Sequence, residues 1–249
     1  VGTLSAPSTA PSVAEATTST AASAVTTPKS AATPVSRPPA IPRPTDLPTD
    51  GTCESGHICL GVLAAGKSYH TDVFKPGFAF TPPAAGWENL AETGGDLDLD
   101  ALDAPGDVIM FFRQPRATTE TGDLILSVPV SVDGIQKWLA SYPAVTVSSA
   151  TQVSIGGLAG VRMDFTIAPG AGTAGDCPTQ ACLSMFKGTD GKSWAWDWGT
   201  ATAGRQRIYL LKATDTVVAI FVDSLDCTTF DALTQTADAL LATVKFDKP

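Results

Sequence analysis

Leu, Ile and Phe are almost missing from the first fifty positions, and large apolar residues then recur in periods that secondary structure can use. Phe78 and Phe80 alternate with Ala79 and Thr81, as on a half-buried strand. Residues 108–112 (VIMFF) and 124–130 (LILSVPV) are dense apolar runs and read as strands, with Pro129 placing the end of the second at an edge. Val161, Met163, Phe165 and Ile167 alternate strictly with polar or small residues, so one strand face is buried. Residues 206–212 and 216–223 are two further strands, and the short turn at 213–215 makes them a hairpin. The period changes at two places. Ile135, Trp138, Leu139 and Tyr142 share one helical face, Asp133 with Gln136 forms a capping box, and Pro143 stops the helix. Phe230, Leu233, Ala237, Leu240, Leu241 and Val244 form the apolar stripe of a last helix, capped by Thr228 or Thr229. Several antiparallel strands plus two amphipathic helices predict an α+β fold in which helices pack on an antiparallel sheet.

Composition divides the chain. Residues 1–51 are rich in Ala, Ser, Thr and Pro and contain no Trp or Tyr. Such a segment cannot bury enough apolar surface to offset its conformational entropy, and it reads as a disordered stalk, stiffer across the proline-dense residues 34–48. Residues 52–249 hold every Trp, Tyr, Phe and Cys and read as a single domain. Lys29, Arg37 and Arg43 balance Glu15, Asp46 and Asp50, so the net charge of −9 belongs to that domain. An acidic surface repels phosphate backbones and anionic lipids, which argues against nucleic acid as a partner and leaves a lipid anchor or an upstream segment as the route to a membrane. The chain starts at Val1 without a charged and apolar leader, and the expectation is an exported protein whose signal has been removed. An extracellular or cell-surface location follows, with lipid anchoring as one form of it.

The five cysteines fit an oxidising compartment. Cys53 and Cys59 flank Gly56, and Cys177 and Cys182 flank Pro178, so each pair spans a turn that could bring its sulfurs together. Two local disulfides, Cys53–Cys59 and Cys177–Cys182, are expected; a crossed arrangement stays open, and Cys227 is left over. Zinc is the rival, because His57 and His70 lie nearby, but the Cys spacing is wider than structural zinc sites favour.

No nucleophile elbow, HExxH, P-loop or GxGxxG occurs, and the chain has only two histidines. Nothing calls for a cofactor. The strongest polar constellation is GGDLDLDALDAPGD, where Asp96, Asp98, Asp100, Asp103 and Asp107 crowd together. Oxygen ligands at this density suit Ca²⁺, although Ala101 stands where a calcium loop turns on Gly. The competing reading makes Leu97, Leu99 and Leu102 the inward side of an edge strand whose aspartates face water. In KSWAWDWG, Trp194, Trp196 and Trp198 alternate and share one face of a strand. Exposed, with Trp87, they form a platform for sugar rings or flat apolar ligands; buried, they are a core-facing row.

The segments FxFxPPxxGWxN (residues 78–89), GDVIMF (106–111) and WLASYPAVTVSSATQVSIGGLAGVRMDF (138–165), then the hairpin and a helix ending LLATVKF (240–246), resemble exported, lipoprotein-type domains of high-GC Gram-positive bacteria. The pattern also resembles, loosely, the Mog1/PsbP-type fold. That resemblance implies an antiparallel sheet flanked by helices and proteins that bind or stabilise partners rather than catalyse; it implies no active-site residue. The expected function is an extracytoplasmic binding or accessory module on a flexible stalk, its partner an unknown small ligand, glycan or protein. The alternatives are a secreted hydrolase using carboxylates of the 96–107 region and the sensor domain of a larger membrane protein.

Overall fold

All eight residues of VVAIFVDS at 217–224 are buried, charged Asp223 included, so this strand must have neighbours at both edges and layers on both faces. The computed structural model describes residues 60–248 apart from 72, 105, 169–170, 172–182, 184, 189–204 and 225–227. Its strands are β1 (Gly61–Leu63), β2 (Tyr69–Thr71), β3 (Phe78–Phe80), β4 (Trp87–Glu92), β5 (Asp96–Ala101), β6 (Asp107–Arg113) and β7 (Arg116–Ala117). After helix α1 (Val132–Ser141) come β8 (Val145–Val147), β9 (Thr151–Ile155), β10 (Leu158–Ile167), β11 (Phe186–Lys187), β12 (Arg205–Lys212) and β13 (Val217–Ser224). Helix α2 (Phe230–Leu241) and β14 (Lys245–Phe246) close the described chain.

Nine strands form the main sheet, in the order β1-β4-β5-β6-β13-β12-β10-β8, with β9 also paired to β10. Every pairing in it is antiparallel. The architecture is dominated by this sheet, with two helices among the described residues, so the helical share is smaller than an even α+β division would give. Alternation along the strands builds two cores. Leu97, Leu99, Ile109, Phe111, Val218, Ile220 and Val222 turn to one face and meet Leu233, Ala237, Leu240 and Leu241 of α2. Met163, Phe165, Ile208, Leu210, Ala219 and Phe221 turn to the other and meet Ile135, Trp138 and Leu139 of α1. A small sheet, β14-β3-β2, adds Phe78 and Phe80 to the first core, where Phe78 stacks on Phe111 at 4.7 Å.

The strands expected around residues 78–80, 108–112 and 161–167, the 206–223 hairpin and both helices are present. Three local expectations are corrected. Residues 124–130 are not a strand. Leu124 makes a single bridge to Thr118, and the chain then turns, with the Val128 amide donating to the Ile125 carbonyl at 3.1 Å. Asp133 does not cap α1. Ser131 is the N-cap, and its hydroxyl accepts from the Gly134 amide at 3.1 Å. The aspartate-rich segment forms no edge strand, because β5 lies between β4 and β6. The expected stalk lies outside the described residues, as do all five cysteines, His57, Trp194, Trp196 and Trp198.

Candidate functional site

A strand places every second side chain on the same face, and this decides the fate of the aspartates. With Leu97 and Leu99 turned into the first core, Asp96, Asp98 and Asp100 line the opposite face of β5. Asp96 is opposite Phe112 and only 1% exposed, so the expected solvated face is instead largely withdrawn from water. Asp100 pairs with Glu88 across β4–β5. Burial and the Glu88 carboxylate lift its pKa to about 6. Burial, then the charges of Asp96 and Asp100, raise Asp98 well above the usual carboxylate range. Asp103 is exposed in the turn that follows. Asp107 belongs to the other face. It accepts a hydrogen bond from the Ser224 hydroxyl at 2.6 Å and lies beside Thr229, the residue before α2. The five carboxylates of the proposed calcium loop are therefore spread by β geometry, and no three acidic or histidine groups among the described residues converge on a common point.

Trp87, a suggested member of an aromatic platform, is 3% exposed within the first core and offers no ring face to a ligand. His70 is the middle, outward-facing residue of β2, with Nε2 3.1 Å from an Asp247 oxygen.

Two concave surfaces lie on opposite faces of the sheet. The first, about 380 Å³, is bounded by Ser127, Val128 and Pro129 on one side and by the N-cap Ser131 with Lys137 and Trp138 of α1 on the other. Its rim is the loop that joins β7 to α1. Backbone bonds from Ile125 to Ala117 (2.9 Å) and from Thr119 to Asp123 (2.8 Å) fix the loop, and Ile125 and Val128 pack on the second core. Leu124, Leu126 and Val130 are left facing water, Leu126 at 83% exposure. Gly134 lets the helix approach this loop closely, since a Cβ there would overlap the Pro129 carbonyl.

The second groove, about 290 Å³, lies between the last turn of α2 and the β9–β10 hairpin. Strand register places Arg162 opposite Tyr209 and Asp164 opposite Arg207. Arg207 is the hub. Its Nε and Nη2 donate to the two oxygens of Asp164 at 2.7 and 3.1 Å, and Nη1 donates to Asp238 of α2 at 3.2 Å. The Tyr209 hydroxyl donates to the other Asp238 oxygen. Hydrogen bonding to Asp164 holds the Arg207 proton more tightly than usual, and burial raises the Tyr209 phenol, so Arg207 stays cationic and Tyr209 keeps its donor proton across physiological pH. None of Asp96, Asp98, Asp100, Asp103 or Asp107 lines either groove. Sequence reasoning missed both grooves; the LILSVPV run was the one local signal, and it was read as a strand.

No protein-family model and no curated protein matches the sequence. Solved structures do. The chain is similar to the cyanobacterial PsbP protein CyanoP of Synechocystis sp. PCC 6803, with 10% identity and a TM-score of 0.40 over 79% of this chain and 98% of that one. It is similar to LpqN, described as involved in cell envelope biogenesis of Mycobacterium tuberculosis, at 12% identity and a TM-score of 0.40 over 73% and 91%. A Bacteroides thetaiotaomicron VPI-5482 protein matches at 12% identity and a TM-score of 0.36, over 74% of this chain and 50% of its own. At these scores the likeness is one of loose architecture, and no residue role passes from those proteins to this chain.

Proposed function

We propose that this chain is a non-catalytic binding or accessory module acting outside the cytoplasm, and that the loop between β7 and α1 meets its partner. The observation that carries the reading is the outward presentation of Leu124, Leu126 and Val130 on a loop that is hydrogen-bonded into place beside a groove. Scattered single apolar residues are ordinary on a surface, but three on one anchored loop concentrate apolar surface in the way interfaces use. A rigid loop also loses little entropy on docking. The extracytoplasmic setting rests on the cysteine content and the Ala/Ser/Thr/Pro-rich leading segment. No helix among the described residues is long and apolar enough to cross a membrane.

A photo-crosslinking residue at position 126, in cells that make the protein, tests the reading. A discrete adduct is expected from position 126, none from exposed Thr214 on the β12–β13 turn, and loss of the adduct when Leu124→Asp is added. Equal labelling from both positions, or none from 126, sinks it. So does polymer hydrolysis by the purified chain that Asp98→Asn abolishes, since the carboxylate-hydrolase alternative requires that result.

A further inference from the structure

We infer that the groove between α2 and the β9–β10 hairpin binds a carboxylate carried on a short apolar body, with Arg162 as the anchor for the anion. This site lies on the α2 face of the sheet and stands independently of the loop beside α1.

Arg162 projects from the middle of β10 into the groove, its side chain 35% exposed. Its nearest charged partner is an Asp238 oxygen at 4.0 Å, beyond hydrogen-bond reach. Asp238 does not need it, because one oxygen already accepts from Tyr209 and the other from Arg207. Asp164 is likewise held by Arg207 in a two-pronged contact. The neighbouring acids are therefore satisfied by other donors, while the Arg162 guanidinium keeps its planar fork of N–H groups for a guest. That fork matches a carboxylate edge-on, with two parallel charge-assisted bonds.

The walls define the rest of the guest. Val153 and Ala242 present apolar surface beside the arginine, the buried Ile155 and Leu241 back the groove from the core, and Asp238 lines it as well. A volume of about 290 Å³ is at the small end for ligand sites, which fits a short acid or the last residue of a peptide. The groove also sits at the C-terminal end of α2, where the peptide dipoles carry partial negative charge. That field opposes a doubly charged phosphate more than a singly charged carboxylate, so the guest is a monoanion.

The experiment uses the full chain, with NMR detection of the Arg162 Nε–H and the amides of residues 153–156. Hexanoate is titrated against hexanamide, and N-acetyl-leucyl-alanine against its C-terminal amide. Saturable shifts are expected with both acids, and affinities for the amides should be at least about tenfold lower, the loss of one charge-assisted contact. Arg162→Gln should weaken the acids by a similar factor while leaving the melting midpoint in place. Should that variant misfold, Ala242→Trp fills the groove from its exposed rim with Arg162 intact and should block the acids. A stronger response to the dipeptide identifies a peptide C-terminus as the natural guest, and a stronger response to hexanoate a free acid. Absence of saturable shifts, equal binding of acid and amide, or undiminished binding by a folded Arg162→Gln protein overturns the proposal.

Discussion

Single residues in this sheet carry unusual burdens, and pH exposes them. Asp223 lies opposite Gln206 on β12–β13 in the second core, and burial followed by the charge of Asp107 raises its pKa well above the usual range. A carboxyl with a raised native pKa stabilises the fold fully below its unfolded value of about 4, and that contribution is lost as pH climbs through the native value. Asp223→Asn should therefore melt like the parent near pH 4 and increasingly above it as pH climbs through the native value. Asp100 behaves alike over the narrower window from about 4 to its value of about 6. For this partly exposed group, screened by water, Asp100→Asn should recover about 1–2 kcal/mol at neutral pH. The Gln206 amide is buried, and neither its nitrogen nor its oxygen has a hydrogen-bond partner. Gln206→Leu removes that cost, and urea unfolding should show a gain of about 1 kcal/mol. Gly160 is the opposite case. Its bare Cα lets β12 pass so closely that a Cβ would overlap the Leu210 carbonyl, and Gly160→Ala should lose about 2–3 kcal/mol or more.

Elements are fastened to the sheet in different ways, and the difference explains what could be foreseen. Helix α2 is pinned by its stripe and by Arg207, which is 12% exposed and spans β10, β12 and the helix. Arg207→Met leaves Asp164 and Asp238 short of their donor, so chemical denaturation should report a loss of about 2–3 kcal/mol, with Lys at 207 a poor substitute for the two-pronged contact. Helix α1 depends on Ser131 at its start, and Ser131→Ala should cost about 1 kcal/mol. Both helices were readable from the sequence because a stripe such as Ile135, Trp138 and Leu139 repeats within a few residues and Pro143 marks its stop. The hairpin was readable for the same local reason. Residues 124–130 misled because apolar density does not say whether a partner strand exists; among the described residues Leu124 makes only an isolated bridge to Thr118, and Leu126 faces water. Asp96, Asp98 and Asp100 misled because alternation identifies the inward face but cannot tell an edge strand from one with neighbours on both sides. The Arg162 groove left no trace in the sequence. It exists only through the register that sets Arg162 beside Tyr209 and brings Asp238 over both.

Across the whole molecule the strands are unequally protected. β13 is buried along its full length and paired on both sides, whereas β1 is a three-residue edge strand that exposes Val62. Amide exchange in Ile220 and Val222 should require global unfolding, and exchange in β1 should be faster by orders of magnitude. The position of β13 also constrains the order in which the sheet can be assembled. Only one of its two neighbours is local: β12 immediately precedes it, but β6 ends about a hundred residues earlier. A chain emerging from its N-terminus first would make the β4-β5-β6 meander early and then hold β6 with one row of amides and carbonyls unsatisfied until β13 arrived. In that interval β6 is a sticky template, open to the wrong strand or to another chain. Release of residues up to Ser224 is therefore the step that commits the sheet, and a chain cut short before it should aggregate rather than persist as a stable half.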